Sequence, residues 1–207
     1  MKLYLASGNA HKAQEFQALA EASRLNLEFL SARAVGGMPP VEEDTGTFVG
    51  NARKKAIALK AKLPDEAWVL ADDSGLCVDA LNGAPGVESA YYAGPHGDSG
   101  ANLTKLITVL RGVPAAERSA RFVCVLLLRG PNQAEHVVEA TCEGSLREHP
   151  LGDHGFGYDP LFQPAGLVKS MAELTPEEKN HLSHRGKAWA ALVPLLRATF
   201  GSSRKEL

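Results

Sequence analysis

The sequence predicts an α/β fold built as one unit, and three observations lead to this prediction. Trp68 to Asp72 has the composition of a buried strand, whereas Ala10 to Ala22 places apolar residues at helical spacing. Arg121 to Arg129 and Glu135 to Glu143 flank Gly130-Pro131-Asn132-Gln133, a pattern typical of a β-hairpin. With 207 residues, the chain is long enough to bury a sizeable core without disulfides or structural metals.

The remaining elements follow in chain order from the same signals. We expect strands at Lys2 to Ala6 and Leu27 to Leu30, helices at Thr47 to Leu63 and Asn102 to Leu110, an extended segment at Leu76 to Leu81 and a glycine-rich loop at Gly152 to Pro160. Thr175, Pro176 and Glu178 predict a helix start, with threonine as the N-cap and glutamate as its capping-box partner. Ser183 is expected to cap a last helix that runs to about Phe200.

Composition argues against several classes of protein. Lys and Arg number 22 and Asp and Glu number 24, and a net charge of −2 does not suit a protein that coats nucleic acid or an anionic membrane. The longest apolar stretch, Phe122 to Leu128, is far shorter than the ~20 residues of a membrane span. An odd number of cysteines, with no Cys-x-x-Cys, disfavours disulfides and zinc sites. No signal-peptide pattern opens the sequence, so we expect a cytoplasmic protein.

The segment from Ser7 to Lys12 connects the first strand to the first helix and is a candidate phosphate site. Free N–H groups at a helix N-terminus attract anions, and Lys12 adds a positive charge one turn into the helix. The spacing is not that of the phosphate-binding loop G-x-x-x-x-G-K-[ST]. A plain strand–helix turn capped by Asn9 is the simpler interpretation.

The segment around the start of the second helix carries acids and bases together. Asn51 and Lys55 lie four residues apart, so they share one helix face and offer an amide and an ammonium group to a phosphate. Glu42, Glu43 and Asp44 precede them, and carboxylate oxygens suit a hard cation. The alternative is a solvated helix whose acids favour its N-terminus.

Asp72 and Asp73 follow the apolar residues of the predicted third strand. Open α/β sheets place ligands at the carboxyl ends of their strands, so a metal ligand and a proton acceptor are expected there. Successive strand residues face opposite ways, so the two acids diverge unless the chain turns at this point. The alternative is a turn in which Asp73 and Ser74 bond to local N–H groups.

Two later segments are candidates for recognition of a base. Gly155 to Pro160 flanks aromatic residues with glycine, so the backbone can approach a ligand while Phe156 or Tyr158 offers a stacking face. Five basic or imidazole side chains lie between Lys179 and Lys187, which suits a phosphate or a base. A tight loop with one core aromatic, followed by a solvated turn, is the alternative.

Taken together, these segments resemble the inosine-triphosphate pyrophosphatase family, also called Ham1-like. The resemblance covers nearly the whole chain and keeps the family's order. Six segments carry it: Ser7-Gly8-Asn9-x-x-Lys12, Thr47-Phe48-x-x-Asn51-Ala52-x-x-Lys55-Ala56, Ala71-Asp72-Asp73-Ser74-Gly75-Leu76, Gly155-Phe156-Gly157-Tyr158-Asp159-Pro160, Met171-Ala172-Glu173-Leu174 through Lys179-Asn180, and Ser183-His184-Arg185-Gly186-Lys187-Ala188.

The resemblance implies an α/β fold that is elongated and two-lobed, with a central mixed β-sheet flanked by helices and the active site in the cleft between the lobes. It implies one domain over residues 1–207, a homodimer and dependence on Mg²⁺. The implied reaction is hydrolysis of ITP, dITP or XTP to the monophosphate and pyrophosphate, which removes deaminated purines from the nucleotide pool.

The resemblance also implies a role for each matching residue. Asp73 is expected to be the general base and a metal ligand, Asp72 a supporting ligand, and Glu43 a further ligand, with Glu42 as the alternative. The expected substrate-binding residues are Ser7, Gly8, Asn9, Ala10, His11, Lys12, Asn51, Lys55, Ser74, Phe156, Gly157, Tyr158, Asp159, Lys179, His184 and Arg185.

Two positions depart from the family's usual pattern. Gly50 stands where the family often has glutamate, and Tyr91 stands where it often has arginine. Neither departure removes Asp73 or the basic residues. Two other functions stay open, a Maf-like pyrophosphatase for pyrimidine or modified nucleotides and a non-catalytic nucleotide-binding module.

Overall fold

The computed structural model describes residues 2–95 and 97–200 and shows a six-stranded sheet with the strand order β2-β1-β3-β4-β5-β6. The strands are β1 Lys2–Leu5, β2 Glu28–Ser31, β3 Trp68–Val78, β4 Ser119–Arg129, β5 Glu135–Leu146 and β6 Phe162–Pro164. The α-helices are α1 Ala10–Ala22, α2 Phe48–Lys60, α3 Ser99–Val109, α4 Pro176–Leu182 and α5 His184–Phe200. β1 pairs parallel with β2 and β3, whereas β5 and β6 are antiparallel, so the predicted mixed sheet and α/β class are confirmed.

The described chain divides into two compact units. The first comprises residues 2–73, 125–139 and 186–200, and the second comprises the described residues of 74–124 and 140–185. Small side chains such as Ala52, Ala56 and Ala71 dominate one core of the first unit, whereas large ones such as Phe162 and Met171 fill that of the second. No helix in residues 2–95 and 97–200 is long and apolar enough to cross a membrane.

The helices of the first unit begin where the sequence predicts, because their caps are local. The side chain of Asn9 accepts hydrogen bonds from the backbone N–H groups of His11 and Lys12, which starts α1. Thr47 likewise accepts from the N–H of Gly50 and starts α2. α2 ends at Lys60, three residues before the predicted end, and its ammonium group bonds to backbone carbonyls of the segment that follows.

The third strand differs from its prediction. We expected the strand to end at Asp72 and Asp73, but β3 runs unbroken from Trp68 to Val78 and places both acids in its middle. A lysine pairs with each carboxylate, so the strand continues through two buried charges. The extended segment predicted to reach Leu81 ends at Val78, and a short 3₁₀ helix follows.

The second unit confirms the predicted loop and the start of α4. The hydroxyl of Thr175 accepts from the backbone N–H of Glu178, and the Glu178 carboxylate accepts from the N–H of Thr175, so the capping box forms. α3 begins at Ser99, three residues before its prediction, because Asp98 caps it. Sequence patterns did not predict β6, whose three residues are held by pairing with β5.

Candidate active site

In the first unit, a largely buried lysine holds two carboxylates together. Lys55 Nζ lies 2.5 Å from Asp73 Oδ1 and 3.0 Å from Glu43 Oε2. Lys55 stands on α2, Asp73 on β3 and Glu43 on the loop that leads to α2, so three chain segments meet at one ammonium group. The side chain of Glu42 is exposed, so the geometry favours Glu43 over Glu42 as the acid that belongs to this site.

The neighbouring acid of β3 has its own lysine. Lys12 Nζ on α1 lies 2.8 Å from Asp72 Oδ1, and the Asp72 carboxylate is fully buried. Because strand residues alternate in direction, Asp72 and Asp73 meet lysines from different helices. In the structure Lys12 neutralises this acid, and its predicted contact with phosphate stays a prediction.

Burial sets the protonation of this cluster. Removal from water raises the pKa of Asp73 to about 6, and the nearby ammonium group of Lys55 only partly offsets this effect. Burial also disfavours the charged form of Lys55, but the carboxylates of Asp73 and Glu43 outweigh it and raise the pKa of that lysine. Lys55 therefore keeps its charge, and Asp73 is a carboxylate whose proton affinity suits a base near neutral pH.

The donor set around Asp73 fits a hard cation. Asp73 Oδ2 is buried and has no hydrogen-bond partner among the described residues, so this oxygen is left for a ligand. Glu43 shares Lys55 with Asp73, and carboxylate oxygens are the ligands that Mg²⁺ prefers. Nowhere in residues 2–95 and 97–200 do three His, Cys, Asp or Glu side chains already stand grouped for a metal.

The turn from Ser7 to Lys12 lies at the start of α1 and is largely exposed. Gly8, Asn9, Ala10 and His11 are exposed. The Asn9 side chain takes up the N–H groups of His11 and Lys12, and Ser7 Oγ accepts from the N–H of Asn9. The capping interpretation of Asn9 is thus confirmed, and the phosphate role of the turn stays a prediction.

The second unit assembles a different cluster around Phe156. Lys179 Nζ lies 2.8 Å from Asp159 Oδ2 and 5.1 Å from the centre of the Phe156 ring. Arg185 Cζ lies 5.8 Å from the same ring, and the Arg185 guanidinium donates to Ser74 Oγ at 3.0 Å. An aromatic face beside two cations and a hydroxyl suits a flat, polar ligand such as a base.

The loop that carries Phe156 is shaped by one carboxylate. Asp159 Oδ2 also accepts from the backbone N–H of Phe156 at 2.9 Å. A Cβ atom at Gly155, whose φ is +76°, would lie 2.2 Å from Asp159 Oδ2, so only glycine fits there. Gly157 also has a positive φ, of +65°. Tyr158 is buried and its hydroxyl donates to the carbonyl of Ser89, so it is the core aromatic of the loop.

Two residues next to the predicted site were missed by sequence reasoning. The ring of His184 stacks on that of Phe122, with centroids 4.7 Å apart and an angle of 11°. Thr45 donates to Asn51, the amide predicted to contact phosphate. An apolar residue on a central strand and a threonine in a loop carry no local signal for either role.

Comparison with known proteins gives consistent relatives. A family model described as the Ham1 family matches residues 3–195. A protein named dITP/XTP pyrophosphatase from Opitutus terrae is 59% identical over 93% of this chain and 97% of its own length. One of the same name from Streptomyces coelicolor is 46% identical over 97% of this chain and 99% of its own length.

Solved structures agree with the sequence comparison. The Ham1 protein of Staphylococcus aureus is 36% identical with a TM-score of 0.82, covering 96% of this chain and 100% of that one. A HAM1 protein from Coxiella burnetii is 37% identical with a TM-score of 0.83, covering 96% of this chain and 99% of that one. The family model, the sequence identity and the fold all agree over nearly the whole length of the chain. The chain therefore belongs to the Ham1 family.

Proposed function

We propose that this protein hydrolyses non-canonical purine nucleoside triphosphates, namely dITP, ITP and XTP, to the monophosphate and pyrophosphate. Family membership and relatives named dITP/XTP pyrophosphatase, at up to 59% identity, support this proposal. Removal of deaminated purines from the nucleotide pool would be its role. We further propose that it acts in the cytoplasm as a homodimer, without nucleic-acid or membrane partners.

The observation that carries the proposal is the environment of Asp73. Its carboxylate is buried, its Oδ2 has no partner in the part of the chain that the structure describes, and burial raises its pKa to about 6. A general base works best when its pKa lies near the operating pH. One oxygen of this carboxylate pairs with Lys55, and the other is left to accept a proton from water.

The proposed reaction is an attack of water on the α-phosphorus. A bond forms between the water oxygen and the α-phosphorus. The bond between the α-phosphorus and the oxygen that bridges to the β-phosphate breaks, and pyrophosphate leaves with that oxygen. Asp73 takes the proton of the attacking water. Lys12, Lys55 and the Nδ2 of Asn51 hold the phosphate oxygens, because cations and N–H donors stabilise the charge that the leaving group gains.

Asp73 and Glu43, the pair that shares Lys55, are the residues that would hold Mg²⁺, and the supporting role of Asp72 stays a prediction. A bound Mg²⁺ supplies a positive charge that neutralises phosphate oxygens. Turnover that persists fully after EDTA treatment would contradict this assignment.

Residues of the second unit are proposed to recognise the base. Phe156 offers the stacking face, and Lys179, His184 and Arg185 supply charge and hydrogen-bond donors beside it. A 6-oxo purine presents an acceptor where adenine presents an amine. A donor fixed at that position leaves the amine of adenine unpaired, which in the best cases costs a factor of roughly 10⁴–10⁵ in specificity.

Pyrophosphate release from dITP by Asp73→Asn protein tests the assignment. Asparagine keeps the shape of the side chain but accepts no proton, so kcat should fall by about 10² or more while nucleotide binding is largely kept. Asp79→Asn is the matched control, because the Asp79 side chain is exposed and bonds to Ser119 and Arg121, away from Asp73 and Lys55. Full activity of the Asp73 variant would refute its role as the base.

A further inference from the structure

The amide of Asn51 on α2 is buried and engaged at one end only. Asn51 Oδ1 accepts from Thr45 Oγ1 at 2.8 Å and from the backbone N–H of Thr45 at 3.3 Å. Asn51 Nδ2 is buried and has no hydrogen-bond partner within residues 2–95 and 97–200. An N–H donor that is left unpaired away from water costs free energy, which points to an acceptor supplied by a ligand.

Thr45 determines which end of the Asn51 amide is left without a hydrogen-bond partner among the described residues. The two ends of an asparagine amide have the same shape and opposite polarity, so their neighbours determine the orientation. The backbone N–H of Thr45 can only donate, and it therefore requires the oxygen of Asn51. The Thr45 hydroxyl makes the shorter of the two hydrogen bonds to Asn51 Oδ1, at 2.8 Å, and so does most to hold the amide in this orientation. That oxygen is nearer to the hydroxyl than the carbonyl of Thr47 at 3.0 Å or the hydroxyl of Thr47 at 3.4 Å.

Gly50 makes room for the Thr45 hydroxyl. A Cβ atom at position 50 would lie 2.3 Å from Thr45 Oγ1 and 2.8 Å from Thr47 Oγ1, far inside ordinary contact. Any side chain at position 50 would displace the hydroxyl that orients Asn51. The lack of a side chain at position 50 thus allows the Thr45 hydroxyl to lie beside Asn51.

We propose that Thr45 is a positioning residue, which orients the Asn51 amide so that its Nδ2 donates to a phosphate oxygen of the nucleotide. This inference rests on the proposed function, because it assigns the ligand of Nδ2 to the triphosphate. Because Nδ2 is buried, this inference requires neighbouring side chains to move aside when the phosphate binds. Lys55, four residues along the same face of α2, supplies the positive charge beside it.

A double-mutant cycle tests whether Thr45 acts through Asn51. Thr45→Val keeps the branched shape and removes the hydroxyl, and we expect KM for dITP to rise about tenfold. Thr45→Ser should restore most of the loss. In an Asn51→Ala background, Thr45→Val should cost nothing further. An equal cost in both backgrounds would mean a merely structural role and would overturn the inference.

Two further measurements keep this test independent of turnover. The same cycle is repeated on the affinity for inorganic triphosphate. If the wild type binds triphosphate but releases no pyrophosphate from dITP, the proposed function is refuted. The cycle on triphosphate affinity then still tests the role of Thr45. Additive effects on triphosphate binding, or no binding by the wild type, would overturn the inference.

Gly50→Ala should reproduce the Thr45→Val effect on triphosphate affinity and on KM. Thr108→Val, on the exposed face of α3, should change neither the affinity nor KM.

Discussion

The individual residues of the site carry charges that are neutralised before any ligand arrives. Asp72 and Asp73 are buried in the middle of β3, and Lys12 and Lys55 pair with them. Removing one partner of such a pair leaves an uncompensated buried charge, which is far more costly than the loss of an exposed ion pair. The same lysines are then available for phosphate oxygens when the carboxylates bind a cation.

The raised pKa of Asp73 predicts how the stability of the protein depends on pH. The folded chain binds the Asp73 proton more tightly than the unfolded chain does, so this group stabilises the fold fully below about pH 4 and loses that contribution as pH rises through about 6. In EDTA, the free energy of unfolding of the wild type relative to Asp73→Asn should fall by about 2 kcal/mol between pH 4 and 7.

Denaturant unfolding at several pH values checks this prediction, and Asp79 supplies a control of opposite sign. Its hydrogen bond from Ser119 and its pairing with Arg121 lower the pKa of Asp79, so its small contribution grows as pH rises through the acid range. Mg²⁺ should stabilise the wild type more at pH 7 than at pH 5, because the cation needs the ionised Asp73. A pH-independent difference between wild type and Asp73→Asn would contradict the raised pKa.

At the element scale, the starts of the helices were predictable and the extent of the strands was not. Asn9 and Thr175 cap their helices through hydrogen bonds that span two or three residues, and such contacts are visible in the sequence. The course of β3 depends on Lys12 and Lys55, which lie 60 and 18 residues away from their acids. A turn and a strand interior are equally compatible with Asp-Ser-Gly until those partners are known.

The capping box of α4 should contribute to both stability and substrate binding. α4 carries Lys179, which bonds to Asp159 and lies over the ring of Phe156. Thr175→Ala should lower the free energy of unfolding by about 1 kcal/mol and raise KM for dITP, because the start of α4 loosens. Thr104→Ala on α3, where the exposed hydroxyl donates to the carbonyl of Gly100 in the same helix, should change stability by less than about 0.5 kcal/mol.

Chemical unfolding and initial-rate kinetics on both variants check this prediction. A Thr175 variant as stable as the wild type would show that the hydrogen bonds of the capping box contribute nothing. A loss of stability with an unchanged KM would separate Lys179 from substrate binding.

In the whole molecule, motifs that are far apart along the chain are grouped together in space. Glu43, Lys55 and Asp73 come from separate segments and meet in the first unit, where Lys12 also pairs with Asp72, whereas the cluster around Phe156 belongs to the second unit. The α/β class and the family were predictable because the motifs are many and ordered. The pairing of each lysine with an acid was not, since it depends on the path of the chain. The two-lobed single domain stays a prediction.

Selectivity for deaminated purines separates the proposed function from its alternatives, and one panel of substrates tests it. Pyrophosphate release is measured for dITP and XTP beside ATP, GTP, UTP and dTTP, in each case with Mg²⁺ and with EDTA. We expect kcat/KM for dITP and XTP to exceed that for the four common nucleotides by at least about 10², and only when the cation is present. Equal rates for all substrates, or a preference for UTP or dTTP, would contradict it.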